Sequence, residues 1–388
     1  MWWWEIIKTL KVQLKPNNKQ STNLWGCAGT GRWAYNFALT KIQAHYQETG
    51  KFLNDGDLRR QLTQLKQTDE NYKWLYKYSN NITKQAIKDA CDAYRRFFKG
   101  TSKFPRFKSK KRNKPSFYQD GLKIRFNSRY CWIEKVGKIK LAEFDRIPFE
   151  SGSKYANPRV TFDGLHWWIS VGIELGDLTL QKEASEAIGI DVGIKDLAIT
   201  SNHQVFGNIN KTERVRRLQK KLKRLQRQTS RKYEDTKKEG GENCYKKTCN
   251  IIKLENTIKS VHRRLTNIRL NYIHQITTSL VKAKPEHIVM EDLNIQGMMK
   301  NRHLAKAIQE QCLYEFRRQI EYKCTWYGSR LILADRWFPS SRMCSNCGNI
   351  ATELKLSDRT YICKKCEVII DRDFNASINL RNYGKLVA

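Results

Sequence analysis

The segment CSNCGNIATELKLSDRTYICKKCEVIIDRDFNASIN, residues 344–379, joins two pairs of cysteines to an acidic D-x-N sequence. Cys344 and Cys347 form one C-x2-C pair and Cys363 and Cys366 form a second, with 15 residues between the pairs. This spacing is typical of a four-cysteine zinc ribbon, and four unrelated core cysteines seldom adopt it. Because four thiolates leave Zn²⁺ no open position, we expect a structural metal, with any hydrolysis carried out by other residues.

Acidic residues stand at the ends of three predicted elements. The run AIGID predicts a strand that ends near Asp191, HIVM predicts a buried strand that leads to Glu291, and a last helix begins near Asp373. If the two strands lie side by side, Asp191 and Glu291 leave the sheet at one edge, and the helix with Asp373 can close over them. Three carboxylates in one pocket repel one another unless cations offset them, so we expect two Mg²⁺ or Mn²⁺ ions. Such a pair hydrolyses a phosphodiester by activating a water and stabilising the leaving 3′ oxygen.

The composition predicts a polyanionic partner. The chain has 73 Lys and Arg against 38 Asp and Glu, a formal net charge of +35. Nucleic acid is the favoured partner, since basic side chains gain affinity by releasing counterions from phosphates. A membrane surface is disfavoured, because no run of about 18 apolar residues occurs. The opening MWWWEIIKTL is too short and polar for a signal-peptide core.

The seven other cysteines are scattered, as expected of free thiols in a reducing cytosol. Cys244 and Cys249 could form a second metal pair, although solvated loop cysteines are the favoured interpretation.

Residues 1–184 predict a barrel that carries a helical insertion. Alternating apolar residues in 5–15 predict a strand, and helical spacing favours a bundle over 20–98. Strand alternation from Leu122 and an Asp163-Gly164 turn predict a small β-barrel, which the first strand completes. We expect its aromatic residues to lie mostly in the core; they are Tyr130, Trp132, Phe144, Trp167 and Trp168.

A basic segment with interleaved aromatic rings, residues 99–117, precedes those strands. Such a segment can grip phosphates while its rings stack on bases, and a solvated basic loop is the alternative. The candidate nucleic-acid contacts in it are Lys103, Arg106, Lys108, Lys110, Lys111 and Arg112.

Two long helices follow the strand pair near Asp191. Apolar residues at heptad spacing predict an antiparallel hairpin with a polar loop at 230–250. Its exposed face carries further candidate contacts, Arg217, Lys221 and Arg224, which suit a duplex backbone or plain solvation equally. A helix from His303 to Tyr327 and a strand RLILAD complete the pattern before the ribbon.

The motifs resemble those of the TnpB family, transposon-encoded RNA-guided nucleases related to type V CRISPR effectors. The segments IGIDVGIKDLA, IVMEDLNIQGM and DRDFNASINL, with the ribbon between the last two, look like the three split RuvC motifs and the zinc finger of that family. The segments NLWGCAGTGRWAYNFAL and FPRFKSKKRNKPSF resemble landmarks of its recognition and wedge regions. Gly31 before Arg32 departs from the more compact run common there. We expect no long disordered tail after the last motif.

The resemblance implies that Asp191, Glu291 and Asp373 are the catalytic acids and that the four cysteines bind zinc. Asp196, Asp292 and Asp371 are competing acids that we assign to turns or supporting positions. The choice of Asp373 over Asp371 rests on the resemblance and not on spacing.

The implied fold is multidomain α+β: an RNase H-like RuvC nuclease domain with a zinc ribbon, and a wedge-type β-barrel that carries a helical recognition bundle. The expected division is 1–19 wedge strand, 20–98 recognition bundle, 99–184 wedge with basic loop, 185–342 RuvC domain with a hairpin at 211–280, 343–367 ribbon and 368–388 final motif and helix.

The implied activity is RNA-guided DNA cleavage at a single RuvC site. A noncoding guide RNA pairs with target double-stranded DNA beside a short motif that the protein reads. We expect a monomeric, cytoplasmic, nucleoid-associated protein of a prokaryote. Three alternatives stay open: a compact CRISPR-associated effector of the same chemistry, a nuclease-dead RNA-guided repressor, and a strand-transfer transposase. The repressor is disfavoured because all three acids are present, and the transposase because of the ribbon and the wedge-like half.

Overall fold

A computed structural model describes residues 6–150, 153–175, 185–240, 247–351, 353–354 and 358–387 of the chain. The chain folds as two units, Met1–Gly176 and Asp177–Ala388, each with cores of its own. Among the helices of the described residues, none is long and apolar enough to cross a membrane. Cys244, one half of the alternative metal pair, lies outside the described residues, and Cys249 is exposed at the start of a helix.

The first unit contains a seven-stranded antiparallel sheet. Its strands are β1 Ile6–Lys15, β2 Ser116–Tyr118, β3 Ile124–Phe126, β4 Tyr130–Ile133, β5 Gly137–Leu141, β6 Ala156–Phe162 and β7 Trp167–Leu175, in the order β2-β6-β7-β1-β5-β4-β3. Val12 and Leu14 of β1 are buried while Lys11 and Lys15 are exposed, which is the alternation that the sequence predicted. The prediction that the first strand joins the later ones is therefore confirmed. No ladder joins β2 to β3 among the described residues, so closure into a barrel stays a prediction.

Several side chains of this unit differ from expectation. Leu122 lies in a 3-10 turn, Gly121–Lys123, with 94% of its surface exposed, so the strand begins only at Ile124. Trp132 and Phe144 are exposed, and their prediction as core residues is wrong; each lies within reach of an arginine guanidinium instead. Trp167 is buried as predicted.

Helices fill the chain between β1 and β2. They are α1 Asn18–Thr49, α2 Asp55–Thr68 and α3 Asn80–Phe98, with a 3-10 helix at Glu70–Lys77. Asn17 begins α1 with a capping box, in which its side chain accepts from the Gln20 amide and Gln20 accepts from the Asn17 amide. Leu39, Leu58 and Ile87 meet in a core that belongs to the three helices.

The second unit is built on a mixed five-stranded sheet. Its strands are β8 Ile188–Val192, β9 Asp196–Thr200, β10 Val205–Gly207, β11 His287–Glu291 and β12 Arg330–Ala334, in the order β10-β9-β8-β11-β12. The β8–β11 and β11–β12 pairs are parallel, whereas β9 and β10 are antiparallel to their neighbours. The helices are α4 Glu213–Gly240, α5 Cys249–Lys282, α6 Ile295–Met298, α7 Ala305–Gln311, α8 Leu313–Tyr327 and α9 Arg372–Val387, with a 3-10 turn at Ile209–Lys211. A small ribbon, β13 Thr360–Ile362 and β14 Ile369–Asp371, precedes α9.

The α4–α5 hairpin has the predicted apolar seam, which includes Val215, Leu225, Val261 and Leu265. The predicted loop at 230–250 is wrong in its first half, because α4 continues to Gly240. Contacts with α5 stabilise this extension: the Tyr233 hydroxyl donates to Glu255 at 2.6 Å.

The predicted helix from His303 to Tyr327 is two helices, α7 and α8. Cys312 separates them in the left-handed region at φ 55°, where an α-helix of L-residues cannot continue.

Candidate active site and metal centre

Asp191 and Glu291 leave the sheet at the same edge. Strands β8 and β11 are parallel neighbours in which Ile190 pairs with Met290, so the next residue of each strand is one of the two acids. Parallel strands present their carboxyl ends on one side of a sheet. The sequence predicted that both acids would stand at strand ends, and the register brings those ends together.

Asp373 lies in the first turn of α9, and Asp371 directly precedes that helix. The Asp371 Oδ1 atom accepts from the backbone amides of Asp373 at 3.0 Å and Phe374 at 2.9 Å. This is the geometry of an N-cap residue, which satisfies amides that have no partner within the helix. The ring of Phe374 packs against that of His203, just beyond β9, with centroids 4.2 Å apart. Asp371 is thus the N-cap of α9. The carboxylate of Asp373 instead lies near the Arg359 guanidinium.

The charges of Glu291 and Asp373 affect the pKa of Asp191. Burial raises the pKa of the Asp191 carboxyl well above its usual range, and the negative charges of Glu291 and Asp373 raise it further, while Arg372 opposes them. Glu291 accepts a hydrogen bond from the Ser340 hydroxyl, and Asp373 lies 3.7 Å from the Arg359 guanidinium. Within the part of the chain that the structure describes, the one group of three or more potential metal ligands is that of the four thiols, whose sulfur atoms lie within 4.8 Å of one another.

The other acids near this edge have partners of their own. Asp292 binds Arg317 at 2.6 Å and Arg336 at 3.1 Å. Its pKa is lowered, chiefly by the hydrogen bond from Arg317. Asp196 begins β9 with Lys195 at 4.0 Å. The two close ion pairs make Asp292 a poorer candidate than Glu291 for binding a metal.

The four cysteine sulfurs form one cluster. The Sγ atoms of Cys344 and Cys366 are 3.6 Å apart, those of Cys347 and Cys363 are 3.5 Å apart, and all four lie within 4.8 Å of one another. Four thiolates at about 2.3 Å from a tetrahedral Zn²⁺ would be about 3.8 Å apart. The cluster could therefore hold a metal ion, and its geometry matches the one that the spacing predicted.

The ribbon supports this cluster with a single buried ring. Tyr361 is fully buried beside Cys344 and Cys363, and its hydroxyl donates to the carbonyls of Arg342 and Asn349, each at 3.2 Å. The backbone amide of Val368, followed by the Asn346 side chain, lowers the pKa of the Cys366 thiol to about 6. This shift favours the thiolate of Cys366, which is the form that binds metals, whereas at Cys347 the lowering effect of the Asn349 amide is outweighed by burial and the neighbouring thiols, which raise the pKa.

Two basic surfaces carry the candidate nucleic-acid contacts. In the loop after α3, Lys108 differs from the rest: its Nζ lies 3.7 Å from the centre of the Tyr35 ring, and burial lowers its pKa. Asn36 anchors this loop to α1, because its amide binds both the carbonyl and the amide of Lys108 at 2.9 and 2.8 Å. The exposed members are Lys103, Arg106, Lys110, Lys111 and Arg112.

The second basic surface is on the hairpin. Arg217, Lys221 and Arg224 are exposed on α4, and Arg217 pairs with Glu213 one turn earlier. An open groove beside them has a volume of about 800 Å³ and is lined mostly by basic side chains, among them Lys220, Arg227 and Arg231.

Three buried polar residues near the site escaped the sequence reasoning. They are Ser340, Asn375 and Asn379, each at most 2% exposed. The available signal was the placement of the two asparagines four residues apart on α9, since buried amides on one helix face require specific partners.

Three family models match separate stretches of the chain. Family models match residues 314–380 ("Cas12f1-like, TNB domain"), 170–302 ("Probable transposase") and 1–51 ("Helix-turn-helix domain"). Over the last range, the described residues contain one strand and the single long helix α1.

Two relatives match nearly end to end. A Streptomyces pristinaespiralis protein named "Putative RNA-guided DNA endonuclease" is 30% identical over 382 residues, 98% of this chain and 90% of its own. The Escherichia coli (strain K12) protein "Putative RNA-guided DNA endonuclease InsQ" is 28% identical over 396 residues, 98% and 93% of the two chains.

A solved structure shares the fold. The protein in "Cryo-EM structure of the Cas12f1-sgRNA-target DNA complex" superposes with a TM-score of 0.61 at 12% identity, over 97% of this chain and 99% of the other. At this identity the likeness concerns the fold alone.

Proposed function

The chain belongs to the TnpB family. We propose that it is an RNA-guided DNA endonuclease whose active site lies at the edge of the five-stranded sheet of the second unit. The observation that carries this proposal is the position of Asp191 and Glu291 on neighbouring parallel strands, where burial and then the charges of Glu291 and Asp373 raise the pKa of Asp191. Carboxylates that face the same site in a folded protein repel one another, and a bound cation offsets this unfavourable free energy.

The second unit is proposed to be the RNase H-like RuvC domain, with the three acids holding two Mg²⁺ or Mn²⁺ ions. Carboxylate oxygens are the ligands that these hard cations prefer. When bound, such ions supply an activated water and stabilise the leaving 3′ oxygen of a phosphodiester. The residues of the chain orient this set: Ser340 holds Glu291, and Asp371 caps the helix that presents Asp373.

The thiol cluster is proposed to hold one structural Zn²⁺. Cys344, Cys347, Cys363 and Cys366 complete a four-coordinate set, so no position is left for a water or a substrate. The ribbon then acts on cleavage only through the residues that it positions.

Guide RNA and target double-stranded DNA are the proposed partners of a monomeric protein. The charge of +35 and the two exposed basic surfaces support a large number of contacts with phosphates. The seven-stranded sheet is proposed to form the wedge barrel, and helices α1 to α3 the recognition bundle. A nucleoid-associated location in a prokaryotic cytoplasm follows from the same partners.

The nuclease-dead alternative is disfavoured because none of the three acids is missing and the strand register brings two of them to one edge. The compact CRISPR effector would use the same chemistry, and the two relatives described above are named as RNA-guided endonucleases without that association.

Cleavage by the purified ribonucleoprotein tests the proposal. RNA that copurifies with the chain is sequenced, and DNA complementary to it is offered with and without Mg²⁺. We expect cleavage only with Mg²⁺, and its loss in Asp191→Ala and Glu291→Gln while RNA stays bound. Asp196→Asn, which removes a nearby acid outside the proposed set, serves as the control and should still cut. Cleavage that persists in both site variants would refute the assignment of the acids.

A further inference from the structure

Ser340 connects two elements that carry catalytic acids. It is 2% exposed and lies in the segment between β12 and the ribbon. Its hydroxyl donates to the Glu291 carboxylate at the end of β11, while its carbonyl accepts from the side-chain amide of Asn379 at 2.7 Å. One small residue thus contacts both the second acid and the helix that begins with the third.

The same segment is held to α9 at a second point. Asn375 donates to the carbonyl of Met343 at 2.6 Å and accepts from the amide of Ser345 at 2.9 Å. Asn379 also donates to the carbonyl of Met343, at 2.7 Å. Because both asparagines are buried, each loses its hydrogen-bond partners if the segment moves.

Cys344 lies between the two residues that Asn375 holds. The first ligand of the thiol cluster is therefore held against α9 at Asn375, two residues after Asp373. A continuous chain of contacts runs from the thiols through Asn375, Asn379 and Ser340 to Glu291. The ribbon core beyond it is small, with Tyr361 as its one fully buried ring, so the path of residues 340–345 depends on the closed thiol cluster.

We infer that Ser340 is a positioning residue for Glu291 and that Asn375 and Asn379 couple the metal state of the ribbon to the catalytic acids. This inference rests on the proposed function, since it takes the acids to be the site of the cutting metals. The acids are then ordered only when the ribbon is closed around its metal, so the ribbon does more than stabilise the fold. Ser340 touches neither substrate nor metal in this scheme and acts through Glu291.

Binding of Mn²⁺ separates positioning from a merely structural role. The full chain is purified with its RNA and its zinc, and Mn²⁺ is titrated by electron paramagnetic resonance in the parent protein and in each variant, with the copurified RNA alone measured as background. For Ser340→Ala we expect Mn²⁺ affinity at the acids to fall about 10- to 100-fold, the usual cost of losing a partner of a metal ligand. We also expect kcat to fall while the KM for DNA and the zinc content stay unchanged.

Ser341→Ala is the matched control, because it removes the adjacent hydroxyl, for which the described part of the chain shows no hydrogen bond. It should leave Mn²⁺ affinity and kcat as in the parent protein. Ser340→Thr, which keeps a hydroxyl, should recover part of the affinity. Unchanged Mn²⁺ affinity in Ser340→Ala would overturn the positioning role.

The coupling is tested with Asn379→Leu, a change of similar size that removes both hydrogen bonds. We expect weaker Mn²⁺ binding with zinc still present; unchanged Mn²⁺ binding would overturn the coupling. The two proposals fail separately: if Asp191→Asn itself neither weakens Mn²⁺ binding nor stops cleavage, the proposed site is wrong. If Asp191→Asn does both and Ser340→Ala does neither, only the present inference is wrong.

Discussion

Gly189 in β8 lies directly against Ser377 in α9: a β-carbon at Gly189 would be 2.0 Å from the Ser377 carbonyl oxygen and 2.4 Å from the Arg381 amide nitrogen. Gly384 makes the reciprocal approach from the helix, where an added β-carbon would lie 2.6 Å from Val289 in β11. The helix backbone therefore rests on β8 and β11, the two strands that carry Asp191 and Glu291 at or near their carboxyl ends. This close packing brings the first turn of α9, with Asp373, to the edge of the sheet.

Gly189→Ala should destabilise the second unit. The atoms that the new methyl group meets belong to the backbone and cannot rotate away, so α9 must shift. We expect a loss of about 3 kcal/mol, the upper part of the range for overpacked cores, and lower cleavage activity. Thermal unfolding measures the loss. Gly207→Ala is the control, because its nearest new contact is 3.9 Å away; equal melting temperatures for the two variants would contradict the packing argument.

Asp371 and Asp373 should respond differently to amide substitution. Asparagine is as good an N-cap as aspartate, so Asp371→Asn should keep both stability and cleavage. Asp371→Ala should cost about 1 kcal/mol of folding free energy, because two backbone amides lose their acceptor. Asp373→Asn should keep stability and abolish cleavage. Urea unfolding and DNA cleavage are measured on all three; loss of cleavage in Asp371→Asn would reverse the assignment of the two acids.

Asp191 should make the protein less stable at neutral pH when divalent cations are absent. A carboxyl with a higher pKa in the folded than in the unfolded protein binds more protons when folded, so the unfolding free energy falls as pH rises through that window. The window begins near pH 3.9, the usual value for aspartate, and ends at the raised folded value. Asp191→Asn should therefore be more stable than the parent in Mg²⁺-free buffer at neutral pH, and the difference should shrink as the pH falls.

Melting curves over this pH range, with and without Mn²⁺, provide the measurement. The ion should stabilise the parent protein more than Asp191→Asn, since it offsets the charges that the substitution removes. A parent protein that matches the variant at neutral pH without divalent ions would show that the acids do not repel one another in the folded chain.

Cys344→Ser should lower zinc content and stability together. Binding energy of a structural metal is folding energy, and a hydroxyl is a poor fourth ligand for Zn²⁺ beside three thiolates. Atomic emission and thermal unfolding are measured on the same preparation. The control is Cys324→Ser or Cys324→Ala, at a buried position of α8, which should change stability but leave zinc content intact. Zinc retained at the parental ratio in Cys344→Ser would contradict the ribbon assignment.

The hairpin surface should contribute to binding by charge alone. Replacing Arg217, Lys221 and Arg224 with alanine removes three exposed cations and no part of the apolar seam. If all three contact phosphates, the slope of log affinity against log salt should become shallower by about 2 to 3. Filter binding at several salt concentrations measures it. A triple variant of Lys41, Lys51 and Lys77, exposed cations outside the proposed surfaces, controls for net charge; equal slopes in both variants would exclude a specific role for the hairpin.

Local sequence patterns were sufficient for most elements and for the clustering of the four cysteines. The two C-x2-C pairs specified the thiol cluster, because a metal site of this kind needs little beyond four ligands at the right spacing. Apolar alternation located β1, since a strand with one buried face has a period of two residues, and short apolar runs located β8 and β11. The patterns failed where neighbouring elements overrode them, as in the extension of α4 and in the break at Cys312.

The sequence by itself determined that Asp191, Glu291 and Asp373 stand at element ends, and only the tertiary structure decided which of them meet. Residues at helix or strand spacing carry information about their own element, but Ser340 and Glu291 are 49 positions apart and meet only because β12 pairs with β11. The role of Asp371 as a cap likewise became visible only when its side chain could be traced to two amides. Such contacts depend on how whole elements pack, through Gly189 and Gly384 above all, and no spacing along the chain encodes that packing.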